Sequence, residues 1–491
     1  MLHTILHKMG FIVLCMMIFM LCGCEASFIS LHEYSKNNSF LFDSGGNIIK
    51  ASDALPPDNP PSDIKIEITD RGEYKVVWKD FSCRGAPGDR VFPVYDSEEF
   101  MYFLTEKDSD YMQVMVWDRK QKIIRRYPHG NREAAAVIAS GTKLHGIQYD
   151  GDVFTCDYFT PKFQEMDQKL RSHYQTDNLL WKDHSPDGKQ WLVELFFCEK
   201  PSLSVLCDMR TEKWSELSGP CSYKPDLTQK KEVFRFIASD GQEVSGILSF
   251  PPARYGTRNL PLVVFPHGGP QSRSMRIFDP RVEQLTRNGF LVFQPNYRGS
   301  TGQGKHFRQA GWGAEGIKRA LADIAEGTEN LIKKGYADRG RIAILGGSWG
   351  AYCALAAAML YPDLFRAVTA FFGPSDLVGM LHEFLPESGA NPNLDRLQYG
   401  NIDDPVISEK FKKISPLYNV DKIEAPVLVY HFQQDTVISF QQSERFVALM
   451  KASGKKICFF SGPGKHGFPD SAAEVSAYER AIDFFRDAFR K

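Results

Sequence analysis

The chain has 491 residues, and its 59 lysines and arginines nearly balance its 60 aspartates and glutamates, which gives a formal net charge of −1. This balance offers no electrostatic basis for nucleic-acid binding, which requires basic surfaces. The ten cysteines fit no zinc-binding spacing, so we expect neither a metal nor another cofactor. At ~150 residues per domain the length allows about three domains, but the patterns along the chain fit two.

Residues 1–23 have the pattern of an export signal. An uninterrupted apolar run at 11–22 follows a lysine, and it is too short to span a bilayer, which requires ~20 residues. The sequence Leu-Cys-Gly-Cys at 21–24 resembles a bacterial lipobox, in which cleavage before the last cysteine exposes it for lipidation. We therefore expect lipid on Cys24 and a tether to the membrane at 24–59; an ordinary cleaved signal is the alternative.

Residues 60–224 are predicted to form an all-β, propeller-like domain. Short runs of aromatic and β-branched residues, such as 113–118, alternate with polar turns. Strand-like runs that end in aspartate recur at Asp80, Asp118 and Asp208, and their separations suit one and two repeats of ~40–50 residues. By that period, the region holds about four blades.

Seven of the ten cysteines lie beyond the predicted signal. Cys198, Cys207 and Cys221 are close enough in sequence to be candidates for disulfides in an exported chain, although their pairing cannot be read from the sequence. Cys353 and Cys458 fall in a predicted helix and a predicted core strand, where we expect small buried thiols.

Residues 225–491 alternate predicted strands with predicted helices. Such alternation indicates an α/β domain with a mostly parallel sheet covered on both faces. A hairpin turn at 240–241 opens this domain, an Asp-Pro pair at 279–280 marks the start of a helix, and an amphipathic helix at 471–490 closes it.

The sequence Gly-Gly-Ser-Trp-Gly at 346–350 lies between a strand-like run at 341–345 and a helix-like run at 351–360. This is the context of a nucleophile elbow, a sharp turn that exposes a serine above a parallel sheet. Glycine is needed two residues before and two after the serine because other backbone approaches closely there. Ser348 is therefore the candidate nucleophile.

A serine on such an elbow is followed along the chain first by an acid and then by a histidine. The strand-like run 426–430 leads to Asp435, and the run 457–460 leads to His466 in a glycine-rich loop. An imidazole that titrates near pH ~6.5 can take the serine proton, and an aspartate fixes its tautomer and stabilises the imidazolium. The order predicts a triad of Ser348, Asp435 and His466.

An oxyanion hole usually combines the amide after the nucleophile with an amide from the loop after an earlier strand. The strand-like run 261–265 is followed by Pro-His-Gly-Gly-Pro at 266–270. We therefore assign this role to the amides of Trp349 and Gly268, with Gly269 as the alternative donor.

The chain carries further motifs around these candidates. They are Asn-Tyr-Arg-Gly-Ser-Thr-Gly at 296–302, Gly-Trp-Gly at 311–313, Phe-Gln-Gln-Ser at 440–443 and His-Gly-Phe at 466–468. Together with the elbow, the segment from about 232 to 491 resembles the catalytic domain of the prolyl oligopeptidase family of serine peptidases, nearest its acylaminoacyl-peptidase and dipeptidyl-peptidase branches.

This resemblance implies an α/β-hydrolase fold, the Ser348–Asp435–His466 triad and cleavage of short peptides or of acyl groups from peptide amino termini. It also implies a first specificity pocket near Phe371 and Phe372. Family relatives carry propellers of seven or eight blades, so we expect the β domain here to be truncated.

Two departures from the family pattern flank the predicted site. Phe432 follows a histidine where the family usually has glycine, and Trp349 follows the nucleophile where tyrosine, histidine or asparagine is more usual. Two alternatives to a peptidase therefore stay open: a carboxylesterase that uses the same triad, and a non-catalytic binding lipoprotein that keeps the fold. The oligomeric state is not predicted.

Overall fold

A computed structural model describes most of the chain beyond the amino-terminal region. The described residues are 40–42, 48–50, 65–68, 74–77, 91–97, 99–106, 109–121, 123–127, 130–217, 230–387 and 398–490. The predicted signal peptide, Cys24 and the proposed domain boundary at 225 lie outside these residues. Within them, no helix is both long enough and apolar enough to cross a lipid bilayer.

The described residues fall into two compact units. The first contains the residues up to 217 together with 302–306, and the second contains 230–301 and 307–490.

The first unit consists mainly of antiparallel strands that pair with their neighbours in sequence. Two hairpins, β1–β2 and β3–β4, precede sheets of four, three and four strands. Each larger sheet is a meander, and a propeller blade is a sheet of this kind. The strands are β1 (Phe40–Phe42), β2 (Ile48–Lys50), β3 (Lys65–Ile68), β4 (Tyr74–Val77), β5 (Val91–Asp96), β6 (Phe100–Thr105), β7 (Gln113–Asp118), β8 (Ile123–Tyr127), β9 (Glu133–Ser140), β10 (Lys143–Asp150), β11 (Thr155–Tyr158), β12 (Asn178–His184), β13 (Gln190–Phe196), β14 (Leu203–Asp208) and β15 (Lys213–Glu216).

The recurrent strand-end aspartates have a common structural role. Asp118 and Asp208 each end the third strand of a four-stranded sheet. The Asp118 carboxylate accepts a hydrogen bond from the amide of Gln121 at 2.8 Å. The Asp208 carboxylate likewise accepts hydrogen bonds from the amides of Arg210 and Thr211 at 2.8 and 3.1 Å. Asp118 and Asp208 therefore mark equivalent turns between the last two strands of the two four-stranded sheets, whereas Asp80 lies outside the described residues.

The first unit also contains a helix, α1, at Pro161–Tyr174. The prediction that this region is all-β is wrong here. Thr160 and Pro161 provide the usual start of a helix, and Phe163, Met166 and Leu170 lie on its buried side at helical spacing. The helix adds its apolar side to the core formed by the last β sheet.

The second unit is an α/β domain built on an eight-stranded sheet. Its strands are β16 (Lys231–Ile237), β17 (Glu243–Ser249), β18 (Leu260–Val264), β19 (Leu291–Asn296), β20 (Ala337–Gly347), β21 (Ala367–Phe371), β22 (Val427–Phe432) and β23 (Ile457–Gly462). Its helices are α2 (Pro280–Arg287), α4 (Gly313–Lys333), α5 (Trp349–Leu360), α6 (Leu377–Glu387), α7 (Pro405–Lys413), α8 (Gln441–Ala452) and α9 (Ser471–Phe489), with a 3₁₀ segment at Pro416–Lys422. A further helix, α3 (Lys305–Gln309), begins in residues assigned to the first unit and ends in the second.

The strand order is β16-β17-β19-β18-β20-β21-β22-β23. The pairs β16–β17 and β17–β19 are antiparallel, and the remaining pairs are parallel. Along β20, Ile342 and Ile344 pack into one hydrophobic cluster while Ala343 and Leu345 pack into another. Both faces of the sheet are therefore buried, as expected for parallel strands covered by helices, and the predicted fold class is confirmed.

The cysteines differ in part from the sequence predictions. Cys207 is a buried thiol without a disulfide, so no bond joins it to Cys198, and Cys221 lies outside the described residues. Cys353 is buried in α5 as predicted, at 1% exposure. Cys458 is exposed, and its predicted burial is wrong because β23 forms the edge of the sheet.

Candidate active site

The predicted nucleophile lies on the turn between β20 and α5. Ser348 has φ = 53° and ψ = −125°, a left-handed conformation that costs about 1–3 kcal/mol and persists only where the surroundings impose it. Its amide donates to the carbonyl of Phe371 at 2.9 Å. A Cβ atom at Gly346 would collide with the carbonyl of Gly350, and one at Gly350 would collide with the carbonyl of Pro266. The flanking glycines are therefore required by backbone contact.

The structure brings the three predicted triad residues together in one hydrogen-bonded chain. His466 Nε2 lies 3.1 Å from Ser348 Oγ, and His466 Nδ1 lies 2.6 Å from Asp435 Oδ2. Since a carboxylate oxygen accepts, Nδ1 carries a hydrogen, and Nε2 of the neutral ring faces the serine hydroxyl with its lone pair. This is the arrangement in which the imidazole can take the hydroxyl proton.

Asp435 is held as a carboxylate by its neighbours. Its Oδ1 accepts hydrogen bonds from the amides of Val437 and Ile438, both at 2.9 Å. Burial raises the pKa of this carboxyl, but hydrogen bonds from His431 and His466 outweigh burial and hold the pKa below its usual range. Asp435 therefore stays ionised across the pH range in which an imidazole ordinarily titrates.

The loop at 266–270 lies against the elbow, because a Cβ atom at Gly350 would meet the carbonyl groups of Pro266 and His267. Trp349 is the first residue of α5, so its N–H has no acceptor within the helix. Gly268 is buried beside the elbow in the same loop, and Gly269 has φ = 120°. These are the backbone amides assigned to the oxyanion hole.

His267 holds the oxyanion loop in place. Its Nδ1 donates to the carbonyl of Gly268 at 2.7 Å, and its Nε2 lies 2.8 Å from the hydroxyl of Ser300. Its ring stacks on Tyr297, whose hydroxyl donates to the His267 carbonyl at 2.7 Å. Burial, helped by the charge of Arg273, lowers the pKa of His267 to about 4 against an opposing effect of the Gly268 carbonyl. His267 is therefore a neutral structural residue at pH 7.

The two residues predicted for the specificity pocket are both buried, but their rings make different contacts. Phe371 is 1% exposed and packs against Phe468 and Tyr478, with ring centroids at 5.1 and 5.2 Å. It is a core residue, so its predicted role in substrate binding is wrong. Phe372 has φ = 41°, and its ring meets that of His466 at 5.2 Å with an angle of 69°. Phe372 thus packs against the predicted base.

The two departures from the family pattern leave the triad intact. Phe432 is 9% exposed, and its ring lies beside Gly464 in the loop that carries His466 and 5.9 Å from the ring of Phe468. Trp349 is 5% exposed and packs on Tyr352 with ring centroids 4.8 Å apart. Both bulky residues are absorbed by the core rather than placed between the reacting groups.

Residues 277–491 match the sequence model described as the prolyl oligopeptidase family. This part of the chain belongs to that family. The match contains all three triad residues, so the prolyl oligopeptidase domain includes the whole hydrogen-bonded chain described above.

Relatives of known name agree with this placement. The chain is 27% identical over 404 residues to "Dipeptidyl peptidase family member 6" of Caenorhabditis elegans, covering 76% of this chain and 54% of that protein. It is 25% identical over 253 residues to the human "Acylamino-acid-releasing enzyme", covering 50% of this chain and 34% of that protein. The chain thus spans about half the length of the nematode relative and about a third of the human one.

A solved puromycin-hydrolyzing peptidase from Mycobacterium tuberculosis has the same fold. It superimposes with a TM-score of 0.69 at 21% identity over 86% of this chain and 64% of that one. The likeness supports an α/β-hydrolase domain with an amino-terminal β domain.

Replacing the nucleophile or the base should abolish the chemistry without unfolding the domain. We expect Ser348→Ala to eliminate labelling by a fluorophosphonate probe, and Ser348→Ala and His466→Ala each to lower kcat by about 10⁴-fold or more, because the members of a triad act as a unit. Circular dichroism should be unchanged.

A matched control for the loss of a hydroxyl is Ser249→Ala. Ser249 is buried, and its hydroxyl has no hydrogen-bond partner among the described residues, so labelling should persist. Near-normal turnover by folded Ser348→Ala protein would refute the assignment of the nucleophile.

Replacing the acid should impair the base rather than the serine. We expect Asp435→Asn to lower kcat on the order of 10⁴-fold while probe labelling stays detectable but slow, since the amide no longer fixes the required tautomer of His466. The control Asp404→Asn keeps a side-chain oxygen that accepts from the amide of Val406 at the start of α7. This control should leave kcat unchanged. Unchanged kinetics of Asp435→Asn would show that another group serves as the acid.

Proposed function

We propose that this chain is a serine peptidase that cleaves short peptides, or acyl groups from peptide amino termini, through an acyl-enzyme intermediate. The observation that carries the proposal is the continuous hydrogen-bonded chain from Ser348 Oγ through His466 to Asp435. The family of the carboxy-terminal domain and the names of its relatives favour peptides as the substrate class.

In the first half of the reaction, Ser348 Oγ attacks the scissile carbonyl while His466 Nε2 takes the hydroxyl proton. Asp435 accepts from Nδ1–H and stabilises the imidazolium that results. The amides of Trp349 and Gly268 donate to the carbonyl oxygen as it gains negative charge, and removing such a donor costs about 2.7–4 kcal/mol in a serine protease.

In the second half, the proton on His466 Nε2 passes to the leaving amine, and the C–N bond breaks to give the ester on Ser348. Water then enters, gives its proton to His466 and attacks the ester carbonyl. The acid leaves, and the proton returns to Ser348 Oγ, so the enzyme is regenerated without a net change in protonation.

A substrate panel tests the proposal against its alternatives. We expect hydrolysis of dipeptidyl and acyl-aminoacyl amides with kcat/KM above that of matched amides lacking the peptide portion, because remote binding energy contributes to turnover. The Ser348→Ala protein provides the blank. Hydrolysis confined to simple esters would indicate a carboxylesterase, and absence of both labelling and turnover in folded wild-type protein would indicate a binding protein.

We also propose that the protein is exported and anchored to a membrane through lipid on Cys24. The support is the apolar run at 11–22 and the lipobox-like sequence at 21–24. Two or three acyl chains on one cysteine would hold the protein stably, whereas one would bind only marginally.

Changing the lipidated cysteine should release the protein. Expressed as the full chain in a bacterial host, Cys24→Ser should leave the membrane fraction, and the mature wild type should have the intact mass of an acylated chain beginning at Cys24. Cys22→Ser is the matched control, because it removes a neighbouring thiol and keeps Cys24. A soluble, unmodified wild-type chain would refute the anchor.

A further inference from the structure

The triad carboxylate has a second histidine beside it. His431, at the end of β22, has no exposed side-chain surface, and its Nε2 lies 3.2 Å from Asp435 Oδ2. That oxygen is the one that also accepts from His466 Nδ1. Neither Ser348 nor the oxyanion loop is bonded to this buried ring, so the reaction as described above leaves it unused.

The hydrogen-bond partners of His431 determine which of its ring nitrogens carries a hydrogen. Nε2 also lies 3.0 Å from the carbonyl of Ile438, and because a carbonyl oxygen only accepts, Nε2 carries a hydrogen in either protonation state. Nδ1 lies 2.7 Å from the hydroxyl of Ser443, which donates to it when the ring is neutral. The single Nε2 hydrogen of His431 therefore bonds the Ile438 carbonyl and lies beside Asp435 Oδ2, which is 3.2 Å from the nitrogen.

The other contacts of Asp435 show what this N–H contributes. The amides of Val437 and Ile438 both donate to Oδ1. These two hydrogen bonds do not fix the position of Oδ2, which has to be set by other groups. His466 alone cannot set it, because its own orientation has to be set by the same oxygen.

We infer that His431 is a positioning residue that fixes Asp435 Oδ2 in line with His466 Nδ1, with Ser443 holding His431 in turn. This inference rests on the proposed function. It also gives a role to the serine of the Phe-Gln-Gln-Ser motif at 440–443, which begins α8 and reaches β22 through its hydroxyl.

Two substitutions at His431 distinguish the contribution of its N–H donor from that of its volume. His431→Leu fills the buried space without a donor, whereas His431→Gln retains a side-chain N–H donor of similar reach. With kcat expressed per fluorophosphonate-titrated site, we expect His431→Leu to lower kcat by about 10-fold to 100-fold, the range seen when hydrogen-bonding partners that orient metal ligands are removed. KM should change by less than about twofold, and His431→Gln should recover most of the loss.

A spectroscopic measurement reads the same contact without turnover. The proton between His466 Nδ1 and Asp435 Oδ2, separated by 2.6 Å, should give a far-downfield ¹H resonance in the Ser348→Ala protein. It should persist when His431→Gln is added and weaken or disappear when His431→Leu is added.

His145→Leu is the matched control for loss of a buried histidine. His145 lies in the first unit and bonds to Ser140 and Thr160 at 2.9 and 3.0 Å, so kcat per titrated site should be unchanged. Folded His431→Leu protein with normal kcat and a normal downfield proton would overturn the inference, as would equal losses in the Leu and Gln variants. Inactive, unlabelled wild-type protein would instead refute the proposed function.

Discussion

The active site depends on a close contact between three stretches of backbone. Ser348 adopts its left-handed conformation where Gly346 approaches Gly350 and Gly350 approaches the Pro266 carbonyl. No side chain fits at either glycine, so the nucleophile, the first turn of α5 and the oxyanion loop are placed by one packing arrangement. Strain at the serine is tolerated because the β20–α5 connection is buried on both sides.

The parallel sheet extends this arrangement to the other groups. Strands β18, β20, β22 and β23 run in the same direction, so the loops that follow them emerge at one edge of the sheet. Those loops carry the oxyanion amides, the nucleophile, the acid and the base. Residues separated by 118 positions, as Ser348 and His466 are, therefore meet within hydrogen-bonding distance.

The sequence was sufficient to predict that Ser348, Asp435 and His466 lie together, because each belongs to a local pattern of strand followed by loop and the chain order restricts the choice. It was insufficient for Phe371, whose burial depends on Tyr478 in the last helix, and for Cys458, whose exposure depends on its strand being at an edge. Helix α1 was missed because a β repeat dominated the surrounding pattern. His431 could be noticed only as a histidine four residues before an acid, a spacing without meaning until β22 and its loop are folded.

Asp435 is buried, with 9% of its surface exposed. A buried carboxylate whose oxygens lacked hydrogen-bond donors would destabilise the folded state. Its donors come from the strand end, from the following turn and from the loop after β23. The loop that bears His466 also carries Phe468; both rings pack against Phe372, and Phe468 packs against Phe432 as well. Phe432 therefore contributes apolar contact to this loop, so its bulk in place of glycine is compatible with the triad geometry. Hydrogen bonds and apolar packing thus both act on the loop that carries His466, and the geometry of the triad follows from both.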